Sequence, residues 1–206
     1  MRLNTTYLSN NNSYDGQIPL YIVIHNTDNF SEGADAKAHA KAQYNGNFDN
    51  MSAHVYVDDK EAYQTLPFNR GAWHVGADYG GRLFGTVNNR NSVGIEVCVQ
   101  KDYNYEKAFL NAVEICSQIM KILKIPAERV IQHYDVCAKN CPSVIRQNGD
   151  WNRFKSLILK KETVVSEEKK TTVPLTERIP EIPFRYFRKT QIRSRMESAG
   201  KTVGKQ

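Results

Sequence analysis

Cysteine and long apolar segments are both scarce in this sequence. The chain has four cysteines in 206 residues, at positions 98, 116, 137 and 141, too few and too dispersed for a disulfide scaffold of this size. No apolar run approaches the roughly 18 residues of a transmembrane segment, and residues 1–13 contain no apolar segment of signal-peptide length. We therefore expect a protein that is made in the cytosol and reaches any extracellular site by another exit.

An excess of positive charge is also absent from most of the chain. The net charge is +6, but residues 1–159 contain sixteen Lys and Arg against sixteen Asp and Glu, and residues 160–206 contain twelve against six. The neutral main part argues against specific nucleic-acid binding. The basic tail could still attract a polyanion by screened, nonspecific forces.

The chain length suits one domain followed by an appendage, because about 150 residues suffice to bury a proper core. We place the domain at residues 1–160. Residues 161–206 then form a charged linker and a basic, aromatic tail, in which Pro174, Pro180 and Pro183 discourage regular structure. Two interpretations of the tail stay open, a packing or binding segment and simple disorder.

Hydrophobic patterns predict two strands that carry polar residues. The short apolar run at residues 20–25 predicts a central strand that delivers His25 to its polar end. Residues 92–99 alternate between apolar and other side chains, so Glu96 lies on the face opposite the valines and isoleucine.

A helix and a loop complete this pattern. Residues 104–124 repeat apolar side chains at three- and four-residue steps, which is typical of a helix laid on a sheet. Residues 71–91 are rich in Gly and Asn and predict a long surface loop carrying Trp73 and His74. Long loops on rigid frameworks often carry binding residues.

One predicted loop combines His133 with Cys137 and Cys141. A histidine and a cysteine from this loop, together with His25, supply three borderline-soft ligands and leave a tetrahedral zinc ion one position for water. Such an open position is typical of a hydrolytic metal, and Lys139 places a cation beside it. The residues alone leave open which cysteine is the ligand.

Further short motifs accompany these candidate ligands in order along residues 18–160. The motifs are Ile22-Val-Ile-His25-Asn, Ser52-Ala-His54-Val-Tyr-Val, Ala72-Trp-His74-Val-Gly, Asn91-Ser-Val-Gly-Ile-Glu96, and His133-Tyr-Asp with Lys139-Asn-Cys141-Pro-Ser. In these motifs the chain resembles the amidase-2 family, which includes phage endolysins and is related to peptidoglycan recognition proteins.

The resemblance implies both a fold and an activity. The implied fold is α/β, with a mixed central β-sheet flanked by helices. The implied activity is that of an N-acetylmuramoyl-L-alanine amidase, a zinc enzyme that hydrolyses the amide between N-acetylmuramic acid and L-alanine in peptidoglycan. The resemblance also implies that His25, His133 and Cys141 hold one Zn2+ per chain.

Two other residues have predicted catalytic roles. Glu96 is the candidate general base, although a surface carboxylate is the alternative, and Lys139 could stabilise the developing oxyanion. Some family members have a tyrosine immediately before the histidine that aligns with His54, whereas this chain has Ala53. Members with a glutamate at the position of Glu96 are therefore the closer comparison.

Three residues are predicted to bind substrate, namely Trp73, His74 and His54. Trp73 and His74 suit a groove wall that contacts sugar or peptide, and an amphipathic pair at the base of a loop is the alternative. For His54 the alternative is a structural hydrogen bond.

Four functions fit these observations. The first is a phage or prophage endolysin that acts on the cell wall after holin-type release, its basic tail drawn to anionic wall polymers. The second is a non-catalytic peptidoglycan-binding module, against which Cys141 argues. A cysteine hydrolase using Cys141 with His133 and a cytosolic amidase that recycles muropeptides are the others.

Overall fold

A mixed six-stranded sheet forms the centre of the protein in the computed structural model, which describes residues 1–171, with side chains through residue 163. The strands are β1 (Leu3–Asn4), β2 (Tyr21–Asn26), β3 (Val55–Val57), β4 (Ala62–Gln64), β5 (Ser92–Val97) and β6 (Val130–Gln132). Their order is β1-β4-β3-β5-β2-β6; β3 and β4 are antiparallel, and the other neighbours are parallel. The predicted mixed sheet is confirmed.

Two long helices, α2 and α5, pack with one face of this sheet in the main core. The helices are α1 (Ala36–Tyr44), α2 (Tyr105–Leu123), α3 (His133–Cys137), α4 (Ser143–Gln147) and α5 (Trp151–Thr171). α2 begins after Asn104, whose side chain accepts a hydrogen bond from the Lys107 N–H. Phe109 of α2 meets Phe154 of α5 edge to face, with ring centroids 5.7 Å apart. The predicted helix over 104–124 is thus confirmed.

The parallel strands β2 and β5 lie at the centre of the sheet and place His25 directly opposite Glu96. Ile24 and Ile95, their neighbours along the strands, are fully buried in the core formed with α2 and α5. Because side chains alternate along a strand, His25 and Glu96 lie on the other face. The sheet therefore holds two predicted functional side chains side by side.

The predicted loop between His133 and Cys141 contains a short helix. α3 starts at His133, directly after β6, and ends at Cys137. The chain then turns back, and the Tyr134 N–H donates a hydrogen bond of 2.8 Å to the Cys141 carbonyl. Five residues are too few for a helical period to be visible in the sequence.

α5 continues past the predicted domain boundary at residue 160. Lys and Glu, which are frequent in residues 160–170, are good helix formers, and the segment predicted as a linker is helical as far as Thr171. The division at residue 160 stays a prediction, and residues 172–206, with the predicted basic aromatic tail, lie outside the described part. Within residues 1–171, no helix is long and apolar enough to cross a membrane.

Candidate metal centre

His25, His133 and Cys141 meet beside the sheet and form what we call the trio. One ligand atom from each side chain lies within 4.8 Å of the other two, and Cys141 Sγ is 3.7 Å from His25 Nδ1. All three side chains are buried. Cys137 is also buried but does not belong to this group.

The chemistry of the trio fits a borderline-soft divalent ion, for which imidazole and thiolate are suitable ligands. Burial lowers the pKa of His133 to about 4 and the pKa of His25 well below its ordinary value, so both rings are neutral and offer lone pairs. Neither ring nitrogen of His133 has a hydrogen-bond partner among the described residues. Buried polar atoms nearly always have a partner, and a bound ion would supply one for one of the two His133 nitrogens.

Ionisation of the Cys141 thiol also depends on such an ion. Burial, and next the charge of Glu96, raise the pKa of Cys141. A thiolate at this place therefore requires a positive charge close by, and a coordinated metal deprotonates its cysteine ligand.

Glu96 faces the trio from β5, as its place in the strand predicted. Its Oε1 is 3.9 Å from His25 Nδ1, and its Oε2 is buried without a hydrogen-bond partner among the described residues. Burial raises the pKa of Glu96 to about 8, and the positive charge of Lys139 opposes this shift. An uncommitted carboxylate with a raised pKa is suited to exchange protons.

An open groove with a volume of about 510 Å³ leads to the trio. Met51, Trp73 and Tyr79 line the groove and are exposed, and the Trp73 side chain is 42% exposed. Lys139, also exposed, lines the same groove. The groove therefore combines apolar surfaces with a small number of polar groups, which is typical of ligand sites.

Tyr14 supports Trp73, although no sequence pattern singled it out. The two ring centroids are 4.6 Å apart, and the Arg90 guanidinium lies 5.1 Å from the centroid of the Tyr14 ring. Gly71 lies so close that a Cβ there would come within 2.2 Å of the Tyr14 ring. The contact joins residues far apart in the sequence, so only the tertiary structure reveals it.

The family model of the amidase-2 type, described as N-acetylmuramoyl-L-alanine amidase, matches residues 15–144. This range contains the whole trio and Glu96. The chain belongs to the amidase-2 family. The resemblance predicted from the motifs is confirmed.

Several Bacillus proteins are similar to this amidase-2 chain. N-acetylmuramoyl-L-alanine amidase CwlH of Bacillus subtilis is 37% identical over 174 residues, or 84% of this chain and 66% of CwlH. XlyA of the same organism is 38% identical over 149 residues, or 72% of this chain and 47% of XlyA. The solved catalytic domain of XlyA, 35% identical with a TM-score of 0.65, covers 77% of this chain and 99% of that domain. The chain thus spans about half to two thirds of the length of these curated relatives.

Both ring nitrogens of His74 lie within hydrogen-bond distance of other side chains of the amidase-2 domain. His74 is half-buried; its Nδ1 lies 3.0 Å from His25 Nε2, and its Nε2 lies 3.2 Å from Ser92 Oγ. The polar atoms of His74 thus contact His25 and Ser92, while its ring lines the groove, and its predicted contact with substrate stays a prediction.

His54 is fully buried and ties three segments of the domain together. Its Nδ1 accepts a hydrogen bond of 3.1 Å from the Gly94 N–H, and its Nε2–H donates one of 2.9 Å to the Arg70 carbonyl. The predicted role of His54 in substrate binding stays a prediction, and these contacts favour its alternative, a structural hydrogen bond. A histidine that anchors strands and one that binds a ligand look the same in a single sequence.

His54 is expected to make folding stability depend on pH. Burial lowers the pKa of His54 from 6.5 to about 4, so between these values the unfolded chain binds a proton that the folded chain does not. The free energy of unfolding should therefore fall by roughly 3 kcal/mol through this residue as the pH decreases from 6.5 to 4. Urea unfolding of wild type and His54→Gln between pH 7 and pH 4 measures this, and an equal pH slope in both proteins would contradict it.

Proposed function

We propose that this chain is a zinc-dependent N-acetylmuramoyl-L-alanine amidase, which hydrolyses the amide between N-acetylmuramic acid and L-alanine in peptidoglycan. One observation carries the proposal: the buried trio meets the uncommitted carboxylate of Glu96 in an open groove. The family of the chain and the names of its relatives support the same activity.

His25, His133 and Cys141 are the residues that would hold the zinc ion. Three protein ligands are typical of catalytic zinc sites, whereas structural sites have four. When bound, zinc polarises the amide carbonyl and lowers the pKa of a water molecule. Burial of the three side chains lowers the polarity around them, which strengthens the electrostatic interactions within the site.

Glu96 acts as the general base in this proposal. Its Oε2 has no partner within the described residues, and a zinc ion held by the trio would favour the ionised form of Glu96. The carboxylate is then free to take a proton from the attacking water. Because burial raises the pKa of Glu96, the resulting carboxylic acid holds the proton until the departing amine nitrogen accepts it. Both proton transfers thus use one side chain.

Lys139 stabilises the negative charge that develops on the amide oxygen. Lys139 lines the groove, and its positive charge lowers the pKa of both Glu96 and His133, which supports this role. A fixed positive charge near the reacting carbonyl favours the transition state over the neutral substrate.

Replacement of Lys139 by alanine is expected to lower kcat by roughly tenfold to a hundredfold, less than the loss of a buried oxyanion donor, because the exposed charge is partly screened. Lys139→Arg should retain most of the activity, and Lys101→Ala, which removes an exposed cation elsewhere, should retain all of it. Steady-state kinetics on a defined muropeptide measure these effects. An increase in KM with an unchanged kcat would assign Lys139 to substrate binding instead.

Trp73 provides the aromatic surface on which a sugar ring or stem peptide of peptidoglycan packs. An indole ring offers a large apolar face and a polar N–H for such contacts. The contact of the tilted Tyr14 ring with Trp73 holds this surface in place before substrate arrives, which reduces the entropy lost on binding.

A thiol mechanism with Cys141 as nucleophile has weaker support. Reactive cysteines are partly exposed and have a lowered pKa, whereas Cys141 is buried and its pKa is raised. Its place within the trio favours a metal ligand, and this also favours an enzyme over a non-catalytic binding module.

The proposal extends to lysis of the cell wall by an endolysin released from the cytosol through a holin-type exit. A structure named as a mutant endolysin from Bacillus subtilis, 36% identical with a TM-score of 0.62, supports this role. The basic residues beyond position 160 would attract anionic wall polymers in addition to peptidoglycan.

Metal and product analysis test the proposal together. Freshly purified protein should contain one zinc ion per chain, lose activity with a chelator, and regain it with added zinc. Mass spectrometry should show stem peptides with free L-alanine amino groups released from purified walls. New reducing sugars without such amino groups would reject the amidase, and hydrolysis of soluble muropeptides but not of walls would favour a recycling enzyme.

A further inference from the structure

A chain of side-chain hydrogen bonds leads from the trio to the start of β5. His25 Nε2 is 3.0 Å from His74 Nδ1. His74 Nε2 is 3.2 Å from Ser92 Oγ and 3.3 Å from the Ser92 carbonyl. Ser92 Oγ then donates a hydrogen bond of 2.7 Å to the Asn88 carbonyl. This series of hydrogen bonds ends on the Asn88 carbonyl, which can only accept a proton. The donor and the acceptor of each hydrogen bond in the series follow from that end point.

The directions fix the tautomers of both histidines. Ser92 gives its single hydroxyl proton to Asn88, so its two oxygens can only accept from His74 Nε2–H. A neutral histidine carries one ring proton, and His74 Nδ1 is therefore an acceptor. The proton between the rings belongs to His25 Nε2, which leaves His25 Nδ1 with a free lone pair.

This free nitrogen is the one that faces the rest of the site. His25 Nδ1 lies 3.7 Å from Cys141 Sγ and 3.9 Å from Glu96 Oε1. We propose that His74, supported by Ser92, is a positioning residue that fixes the ring orientation and tautomer through which His25 binds the metal. The identity of the ion rests on the proposed function, whereas the tautomer follows from this chain of contacts.

The backbone around His74 is shaped to receive its ring. A Cβ at Gly94 would come within 2.9 Å of the His74 ring atoms, so a side chain at that position would displace the ring. Asn89 Oδ1 accepts hydrogen bonds from the N–H groups of His74 and Val75, at 3.1 Å and 2.7 Å. These contacts hold the ring between His25 and β5, which explains its place better than a contact with substrate does.

The tautomer of His25 can be measured directly in the wild-type protein. Long-range proton–nitrogen spectra of the zinc-loaded protein are expected to show a metal-bound Nδ1 and a protonated Nε2 on His25. The chelator-treated protein should keep the proton on Nε2. A proton on His25 Nδ1 in the chelator-treated protein, or metal bound through Nε2, would overturn the proposal without any substitution.

Zinc affinity then tests the role of His74, by competition with a chromophoric chelator. His74→Leu removes the acceptor and is expected to weaken zinc binding about tenfold to a hundredfold, as loss of an outer partner of a metal-bound histidine does. His74→Asn keeps an oxygen acceptor near the place of Nδ1 and should restore most of the affinity. His39→Leu, at a histidine that lines the same groove outside the chain of contacts, is the matched control and should bind zinc like wild type.

The outcomes separate this proposal from the proposed function. A folded His74→Leu protein with zinc affinity within twofold of wild type, or a His74→Asn protein as weak as His74→Leu, would overturn the positioning role. Both results would leave zinc binding and stem-peptide release by wild type intact. Wild-type protein that binds no zinc would instead reject the proposed function, and the tautomer of the chelator-treated protein would still test the chain of contacts.

Discussion

Cys141→Ala should yield a folded protein that binds zinc at least about a hundredfold more weakly than wild type, because loss of a direct ligand exceeds the loss of an outer partner. Hydrolysis of the amide should fall below detection, since the two remaining histidines do not hold the ion. The substitution removes only a small side chain. The core that the sheet forms with α2 and α5 lies on the face of the sheet opposite the trio, so the variant should still fold.

Cys137→Ala provides the matched control for this result. Cys137 is also buried and lines the same groove, but it lies outside the trio. The Cys137→Ala protein should therefore keep one zinc ion per chain and wild-type activity.

Thermal unfolding with and without added zinc gives a second measurement. Zinc should raise the Tm of wild type and of Cys137→Ala, because a ligand of the native state stabilises it by mass action, and should leave Cys141→Ala unchanged. Equal activity in Cys141→Ala and wild type would reject the metal centre but not the fold.

The sequence predicts the central strands well because their patterns are strong. The unbroken apolar run of β2 reflects burial on both faces of the strand, and it placed His25 only at the polar end of that strand. The alternation of β5 reflects burial of one face, and it placed Glu96 on the other face. Their pairing across the two strands is a matter of register, which a single sequence does not specify. The trio itself required the resemblance to a family, because spacing alone left Cys137 and Cys141 equivalent.

Other parts of the site depend on contacts between distant segments. α3 and α4 have five residues each, so their period is too short to detect. The supporting contact of Tyr14 with Trp73 joins the N-terminal segment to a loop, and no local pattern indicates it.

The histidines were the hardest residues to interpret from sequence. His54 and His74 both resemble ligand-binding residues in their motifs, yet His54 anchors strands and His74 contacts His25. The difference lies in which atoms surround each ring. That information is held by the tertiary structure alone.

Glu96→Gln is expected to lower kcat by about a hundredfold to ten-thousandfold, the usual contribution of a general base, while one zinc ion per chain is retained. Glutamine has nearly the same shape as glutamate but cannot take a proton from water. Stability should not fall, because burial raises the pKa of Glu96 to about 8 and the charged form is thus the unfavourable one in the fold. Metal analysis, urea unfolding and steady-state kinetics measure the three quantities.

Glu96→Asp distinguishes a general base from a mere negative charge near the ion. Aspartate keeps the carboxylate but withdraws it by one methylene, so the proton transfer lengthens while the net charge stays the same. If proton transfer is the role of Glu96, kcat should fall in both variants, with aspartate retaining more activity than glutamine. If the carboxylate acts only through its charge, aspartate should match wild type, and only glutamine should lose activity. Glutamine with wild-type kcat and a full complement of zinc would exclude both roles and place the proton acceptor elsewhere in the groove.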